Sequence, residues 1–381
     1  MKRRLEDTFS SSQCEDYLNE SISKDGITKS RKELLEACPE RFVDPTYDKT
    51  FKMLFRNNQK KDILKSFLNN LLGFKNDQEI KEITEIEILD SAIQNFSIEG
   101  VGCTVDVRCK TKVGQEVVVE MQRSNKEYFL PRMQEYMGLM LLGQVKEGES
   151  SQYHLKLCDS YILVIAKKNI FVDKYSIKTQ EGGVDDLYEK TVVPYIKELK
   201  QEIPGNKMHW KFFELSRFEN KMKGKRFAKD QIKEQWLEFL IRCPKMEEVP
   251  EEVDDKIKDA YEMMENVKKN LNDLFDYWVA KTKEYDEQEE RKALEEKYKA
   301  EGRAEGKIEG KIENLYNALV IPLQHEVLIK IFGSTFNEEK ITAAEKYVSE
   351  HPTDHNLEDV SKLLLGGTLH EAGSAESVSS S

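Results

Sequence analysis

The sequence predicts an α/β core in the order helix, three-stranded meander, helix, strand, followed by an all-helical, charged C-terminal extension. Three observations carry this reading. Between residues 83 and 122 the apolar pattern repeats every second residue, as half-buried strands require. On both sides of that stretch apolar residues recur at helical spacing. Beyond Pro250 only helical patterns remain, and the charge changes with them: residues 1–40 sum to −2, 41–240 to +3 and 241–381 to −13.

Taken in order, residues 1–40 are polar and Ser-rich and read as a disordered N-terminal arm. Asp44-Pro45 is a helix start, since proline suits the first helical position; Phe51, Leu54 and Phe55 form its apolar face. Ile63, Leu64, Phe67, Leu68, Leu71 and Leu72 make a second helix that Gly73 stops. Strands are expected from Ile83 to Leu89, at 103–110 and at 116–122. A helix follows at 126–146 with Leu130, Met133, Met137, Met140 and Leu141 on one face. Tyr161-Ile162-Leu163-Val164-Ile165 is a short apolar run typical of a strand buried on both faces. Trp210 to Phe218 reads as a further strand and Lys229 to Ile241 as a helix. The expected domains are therefore 41–245 and a helical region 246–365, with a disordered tail at 366–381. Within the second, residues 281–313 are charge-dense and interrupted by Gly302, Gly306 and Gly310. Each glycine costs a helix roughly 1 kcal/mol relative to alanine, so that segment is marginal unless partnered. Self-association through the C-terminal helices is the corresponding expectation, although a heptad seam there would hold Glu301 and Glu305.

Composition narrows the function classes. A net charge of −12 argues against a general nucleic-acid coat protein, yet the acidity is C-terminal and leaves the middle free to meet a polyanion. No apolar run approaches the roughly 20 residues of a membrane span. Met1-Lys2-Arg3-Arg4 is basic but no apolar stretch follows, which does not suit a secretory signal. The six cysteines show no CxxC pair, so reduced thiols and a cytoplasmic setting (nuclear in a eukaryotic source) are expected. The histidines form no zinc-like cluster, and no GxxxxGK[ST] phosphate loop exists.

The chemistry concentrates in Cys103-Thr104-Val105-Asp106-Val107-Arg108-Cys109-Lys110, a turn, and Glu116-Val117-Val118-Val119-Glu120-Met121-Gln122. Alternation puts both cysteines on the apolar face, as core residues. Lys112-Val113-Gly114 suits a three-residue hairpin loop with Gly114 in the left-handed position. Centring the hairpin on Val113 pairs Lys110 with Glu116, Arg108 with Val118, Asp106 with Glu120 and Thr104 with Gln122. Lys110–Glu116 is a sensible salt bridge. Asp106–Glu120 opposes like charges, which destabilises a sheet face. A hard divalent cation between the two removes the conflict, and Mg²⁺ is commonly held by one or two carboxylates with phosphate oxygens and water. Two acids on an exposed, solvated face are the plainer alternative.

At these residues the sequence resembles the PD-(D/E)XK nuclease superfamily, and more closely its recombination-promoting nuclease/putative transposase family. Asp106 and Glu120-Met121-Gln122 match the aspartate and the Glu-x-Lys of that pattern. The likeness extends to Asp48-Lys49-Thr50-Phe51-Lys52-Met53-Leu54-Phe55, Phe67-Leu68-Asn69-Asn70-Leu71-Leu72, Arg132-Met133-Gln134-Glu135-Tyr136 and the Glu301-Gly302-Arg303-Ala304-Glu305-Gly306-Lys307 repeat. It implies a restriction-endonuclease-like core and a Mg²⁺-dependent (or Mn²⁺-dependent) endonuclease acting on DNA. By this resemblance Asp106, Glu120 and Gln122 are the catalytic set, and Asp106 and Glu120 hold the metal with Asp48 and the Met121 carbonyl. Gln122 stands where the superfamily has lysine; it can orient water but brings no charge. The closer family also carries Gln there.

Softer candidates surround this set. Asp48 is equally an acid favoured by the helix dipole. Arg132 and Tyr136, at i and i+4, could reach a phosphate, or Arg132 could bridge a core carboxylate. Lys221, Lys223, Lys225, Arg226 and Lys229 suit a DNA backbone, or a solvated loop. The rival to an active nuclease is a non-catalytic interaction protein acting through the acidic helical tail.

Overall fold

In a computed structural model of the chain, the structure describes residues 11–74, 82–94, 102–124, 128–144, 156–171, 187–224, 227–228, 230–321 and 323–366. The chain divides into two compact units, 1–283 and 284–381.

The first unit opens with α1 (Ser11–Asn19), a hairpin of β1 (Ser21–Lys24) and β2 (Ile27–Ser30), and α2 (Arg31–Ala37). This corrects the expected disordered arm; its first ten residues lie outside the described ones. Asp25 and Gly26 both have positive φ, which closes a two-residue turn. Ser30 and Glu33 form a reciprocal capping box at the start of α2, and Leu34, Leu35 and Cys38 are buried in the main core. Both signals, Asp-Gly and Ser-x-x-Glu, stand in the sequence.

The helices α3 (Asp48–Phe55) and α4 (Lys61–Leu71) follow. α3 begins at Asp48 and not at Pro45, because the Asp44 carboxylate accepts from the Thr46 N–H at 2.9 Å and holds a turn ahead of the helix. Then come β3 (Ile86–Ile88), β4 (Ala92–Gln94), β5 (Gly102–Thr104), β6 (Val107–Thr111), β7 (Glu116–Gln122), α5 (Phe129–Gly143) and β8 (Ser160–Ala166). After β9 (Glu189–Val192) and a short pair, β10 (Tyr195–Ile196) with β11 (Gln201–Glu202), β12 (Met208–Glu214) completes the sheet. The expected strand at 210–218 turns into α6 (Leu215–Lys221) at Leu215. α7 (Ile232–Arg242), α8 (Asp255–Asn266) and α9 (Leu271–Leu319) complete the order to the end of the first unit.

The central sheet is mixed, in the order β3-β6-β7-β8-β12-β9. β7, β8 and β12 run parallel, whereas β3, β6 and β9 join antiparallel. Every residue of β8 is buried, as its unbroken apolar run requires. One face, with Val117, Val119, Leu163 and Ile165, packs on α2, α3, α4, α7 and α8. The other, with Val118, Ile162, Val164 and Phe212, packs on α5 through Phe129, Met133, Met137 and Met140. The nuclease-like domain does not end at 245: Ile257, Ala260, Tyr261, Met264 and Tyr277 belong to the same core, whose apolar face needs them as a cover.

The second unit holds the rest of α9 with α10 (His325–Phe332), α11 (Glu338–Glu350) and α12 (Leu357–Leu365). Ile312 and Leu315 meet Leu328, Phe332, Ile341 and Val360 in a small core of its own. α9 is continuous through Gly302, Gly306 and Gly310. Of the expected tail, residues 367–381 lie outside the described ones. Among the described residues no helix is long and apolar enough to cross a membrane.

Candidate active site

The hairpin register matches the spacing argument at Lys110↔Glu116 and Arg108↔Val118, and Gly114 has φ +92°. Glu116, however, pairs with Arg108 and leaves Lys110 exposed. The larger difference lies at Asp106. The expected strand 103–110 is two strands that part there: Thr104 pairs with Ala92 of β4, while Val107 pairs with Val119 of β7. Val105 accordingly packs with the α5 side and Val107 with the α3 side. Cys109 is core, and Cys103 is half-buried against the α5 side. Thr104 therefore never faces Gln122.

At the fork, side chains replace the backbone ladder. The Asp106 N–H donates to Glu120 Oε1 at 3.1 Å, and the Met121 N–H donates to Asp106 Oδ2 at 2.8 Å. These crossed bonds hold two acids together in a buried place, with Glu120 only 5% exposed. Each remaining oxygen faces a cation at long range. Lys52 Nζ lies 3.5 Å from Asp106 Oδ1 and Arg132 Nη2 lies 3.7 Å from Glu120 Oε2. Burial pushes both carboxyls well above the ordinary range; the Asp106 charge raises Glu120 further, and Asp48 raises Asp106. The acids are not solvated residues of an open face. They are crowded carboxylates short of positive charge.

The other expected residues divide. Gln122 is buried on the Glu120 side of β7, its amide N–H donating to the Ser124 carbonyl. Asp48, in the first turn of α3, pairs with Lys52 at 2.5 Å. Among the described residues no group of three His, Cys, Asp or Glu is placed to hold a metal, so Asp48 does not complete a three-donor set. Arg132 bridges Glu120, the second of its two sequence readings, and its Nε is buried without a hydrogen-bond partner. Tyr136 is 3% exposed and its hydroxyl donates to the Thr104 carbonyl, which removes it from any DNA contact. Lys223 is exposed on the turn after α6; Lys225, Arg226 and Lys229 lie outside the described residues.

Three neighbours escaped the sequence reading. Lys52 was visible only as the i+4 partner of Asp48. Arg123 and Lys167 follow β7 and β8, and both pair with buried Asp44, at 3.1 and 3.3 Å. Although burial opposes its charge, those two cations hold the Asp44 carboxyl below its ordinary range. Because Gln122 and Ala166 are register partners, this basic pair stands directly beyond Gln122.

Two hard oxygen donors held against their own repulsion fit a divalent cation, with water or phosphate oxygens filling the other positions. A family described as PD-(D/E)XK nuclease family transposase matches residues 45–296. No curated protein and no solved structure matches the chain.

Proposed function

The chain belongs to the PD-(D/E)XK nuclease family transposases, and on that premise we propose that it is a metal-dependent endonuclease hydrolysing phosphodiester bonds in DNA, in recombination or the movement of a mobile element. The crossed Asp106–Glu120 pair carries the reading, because nothing in packing alone rewards two buried carboxylates at one fork. Asp106 and Glu120 would hold Mg²⁺ or Mn²⁺, which supplies an acidified water and neutralises phosphate charge. The Met121 and Asp106 N–H donors each occupy one oxygen of a carboxylate, so the other oxygen of each would be the one to meet a metal. Arg132, pinned over Phe129 at 5.3 Å, faces the far oxygen of Glu120 at 3.7 Å and offsets part of the charge crowded there. Gln122 orients the attacking water. That oxygen bonds to phosphorus as the bond to the leaving 3′ oxygen breaks, and the water's proton ends on the leaving oxygen. The exposed Lys168, with Arg123 and Lys167 held by Asp44 just beyond Gln122, would meet flanking phosphates.

Plasmid DNA incubated with Mg²⁺, Mn²⁺ or EDTA tests this beside an Asp106→Ala control. Nicking that needs metal and Asp106 supports it; wild type that leaves plasmid intact in every metal removes it. One observation favours the rival, a nuclease fold kept for interaction through its acidic helices: the Gln122 amide N–H is spent on Ser124.

A further inference from the structure

We infer that Lys52 is a further catalytic residue of this site, supplying from α3 the positive charge that neutral Gln122 cannot supply from β7. The inference rests on the nuclease reading. Lys52 lies one helical turn after Asp48, which puts both on the same face of α3. Asp48 holds the ammonium at 2.5 Å on the solvent side, and Asp106 lies 3.5 Å away on the buried side. Asp48 is largely exposed while Lys52 is only about a quarter exposed, so the pair leads from solvent to the acids. Arg132 cannot play this part. Its guanidinium is fixed against Phe129 and Tyr136 and serves Glu120 from the α5 side. Lysine differs in being a compact charge on a flexible stem, able to leave a 3.5 Å partner for a phosphate oxygen. It stays protonated and transfers nothing; its charge stabilises the negative charge that builds on the non-bridging oxygens as water adds. Asp48 is then a positioning residue for Lys52, not a metal ligand.

The test uses the full chain as wild type, Lys52→Met, and Lys52→Met combined with Gln122→Lys, with plasmid cleavage under single-turnover conditions in Mn²⁺. Lys52→Met is expected to cut about 100-fold more slowly, while DNA binding in EDTA and the metal-induced rise in melting temperature change little. Adding Gln122→Lys is expected to restore cleavage about tenfold or more, a rescue that a purely structural role for Lys52 would not give. Wild type that cleaves, with Lys52→Met equally fast, overturns the Lys52 assignment alone. A slow Lys52→Met that Gln122→Lys does not speed also overturns it, by assigning the loss to α3 packing. Wild type that cleaves nothing overturns the nuclease reading and this inference with it.

Discussion

Glu214 and Glu120 are both buried glutamates in the C-terminal halves of parallel strands, and they are kept in opposite ways. Glu214 is completely buried, and every oxygen is answered. Its Oε1 accepts the Ile170 and Phe171 N–H groups at 2.5 and 3.1 Å, and Oε2 meets Lys190 and Arg217, each at 2.8 Å. Glu120 has one N–H donor, a like-charged neighbour and an arginine at 3.7 Å. A saturated carboxylate fastens β12 to β9, α6 and the chain after β8. An undersatisfied one, at comparable burial, holds free energy that a proton or a further cation recovers. The difference separates structure from site more sharply than burial does.

The widest break would come in cleavage. Asp106→Ala and Glu120→Gln should each lower metal-dependent nicking by about 10³-fold or more, measured on supercoiled plasmid. In the same proteins, Mg²⁺ or Mn²⁺ should raise the melting temperature of wild type but not of Asp106→Ala, the shift growing with metal concentration. Equal shifts in both would take the metal away from the fork.

Stability should divide the two glutamates by sign. Glu214→Gln leaves Lys190 and Arg217 buried without their partner and should cost about 3–5 kcal/mol in urea unfolding. Glu120→Gln in EDTA removes a repelled charge and should cost nothing or stabilise. Comparable losses in the two would erase the contrast.

Gln122→Ala should slow cleavage by the equivalent of about 2–4 kcal/mol while keeping the metal-induced melting shift, as a water-positioning group would. Unchanged cleavage would mean that the Ser124 contact is its whole role.

A smaller effect is expected in pH dependence. In EDTA both site carboxyls titrate higher folded than unfolded, Glu120 because of burial and Asp106. The unfolded chain releases those protons first, so stability is greatest below the ordinary carboxylate range and falls as pH rises toward neutrality. The slope is at most about 1.4 kcal/mol per pH unit for each proton. Glu120→Gln should flatten it; a slope unchanged by that substitution would refute the crowding.

The smallest expected change concerns the acidic second unit. A chain ending at Lys283, the boundary between the units, should bind DNA modestly more tightly at low salt, with the gain vanishing as salt screens repulsion. Loss of binding would place the DNA contact beyond 283.

The sequence by itself determined the period-two hairpin, its register around Gly114, the doubly buried strand through Tyr161–Ile165 and the identity of the two acids. Each depends on residues close along the chain, where alternation and turn chemistry act directly. It also held the Ser30–Glu33 capping box and the Asp25-Gly26 turn, local signals obscured by the polar composition around them. Only the tertiary structure decided that the strand forks at Asp106, because β4 competes with β7 for its neighbours. Only it brought Lys52 from α3 and Arg132 from α5 to opposite sides of one carboxylate pair, buried Tyr136, and closed Asp44 between Arg123 and Lys167. Those are contacts between residues 12 to 123 positions apart, which no periodicity encodes. They follow from which faces the sheet must cover to keep its apolar residues from water.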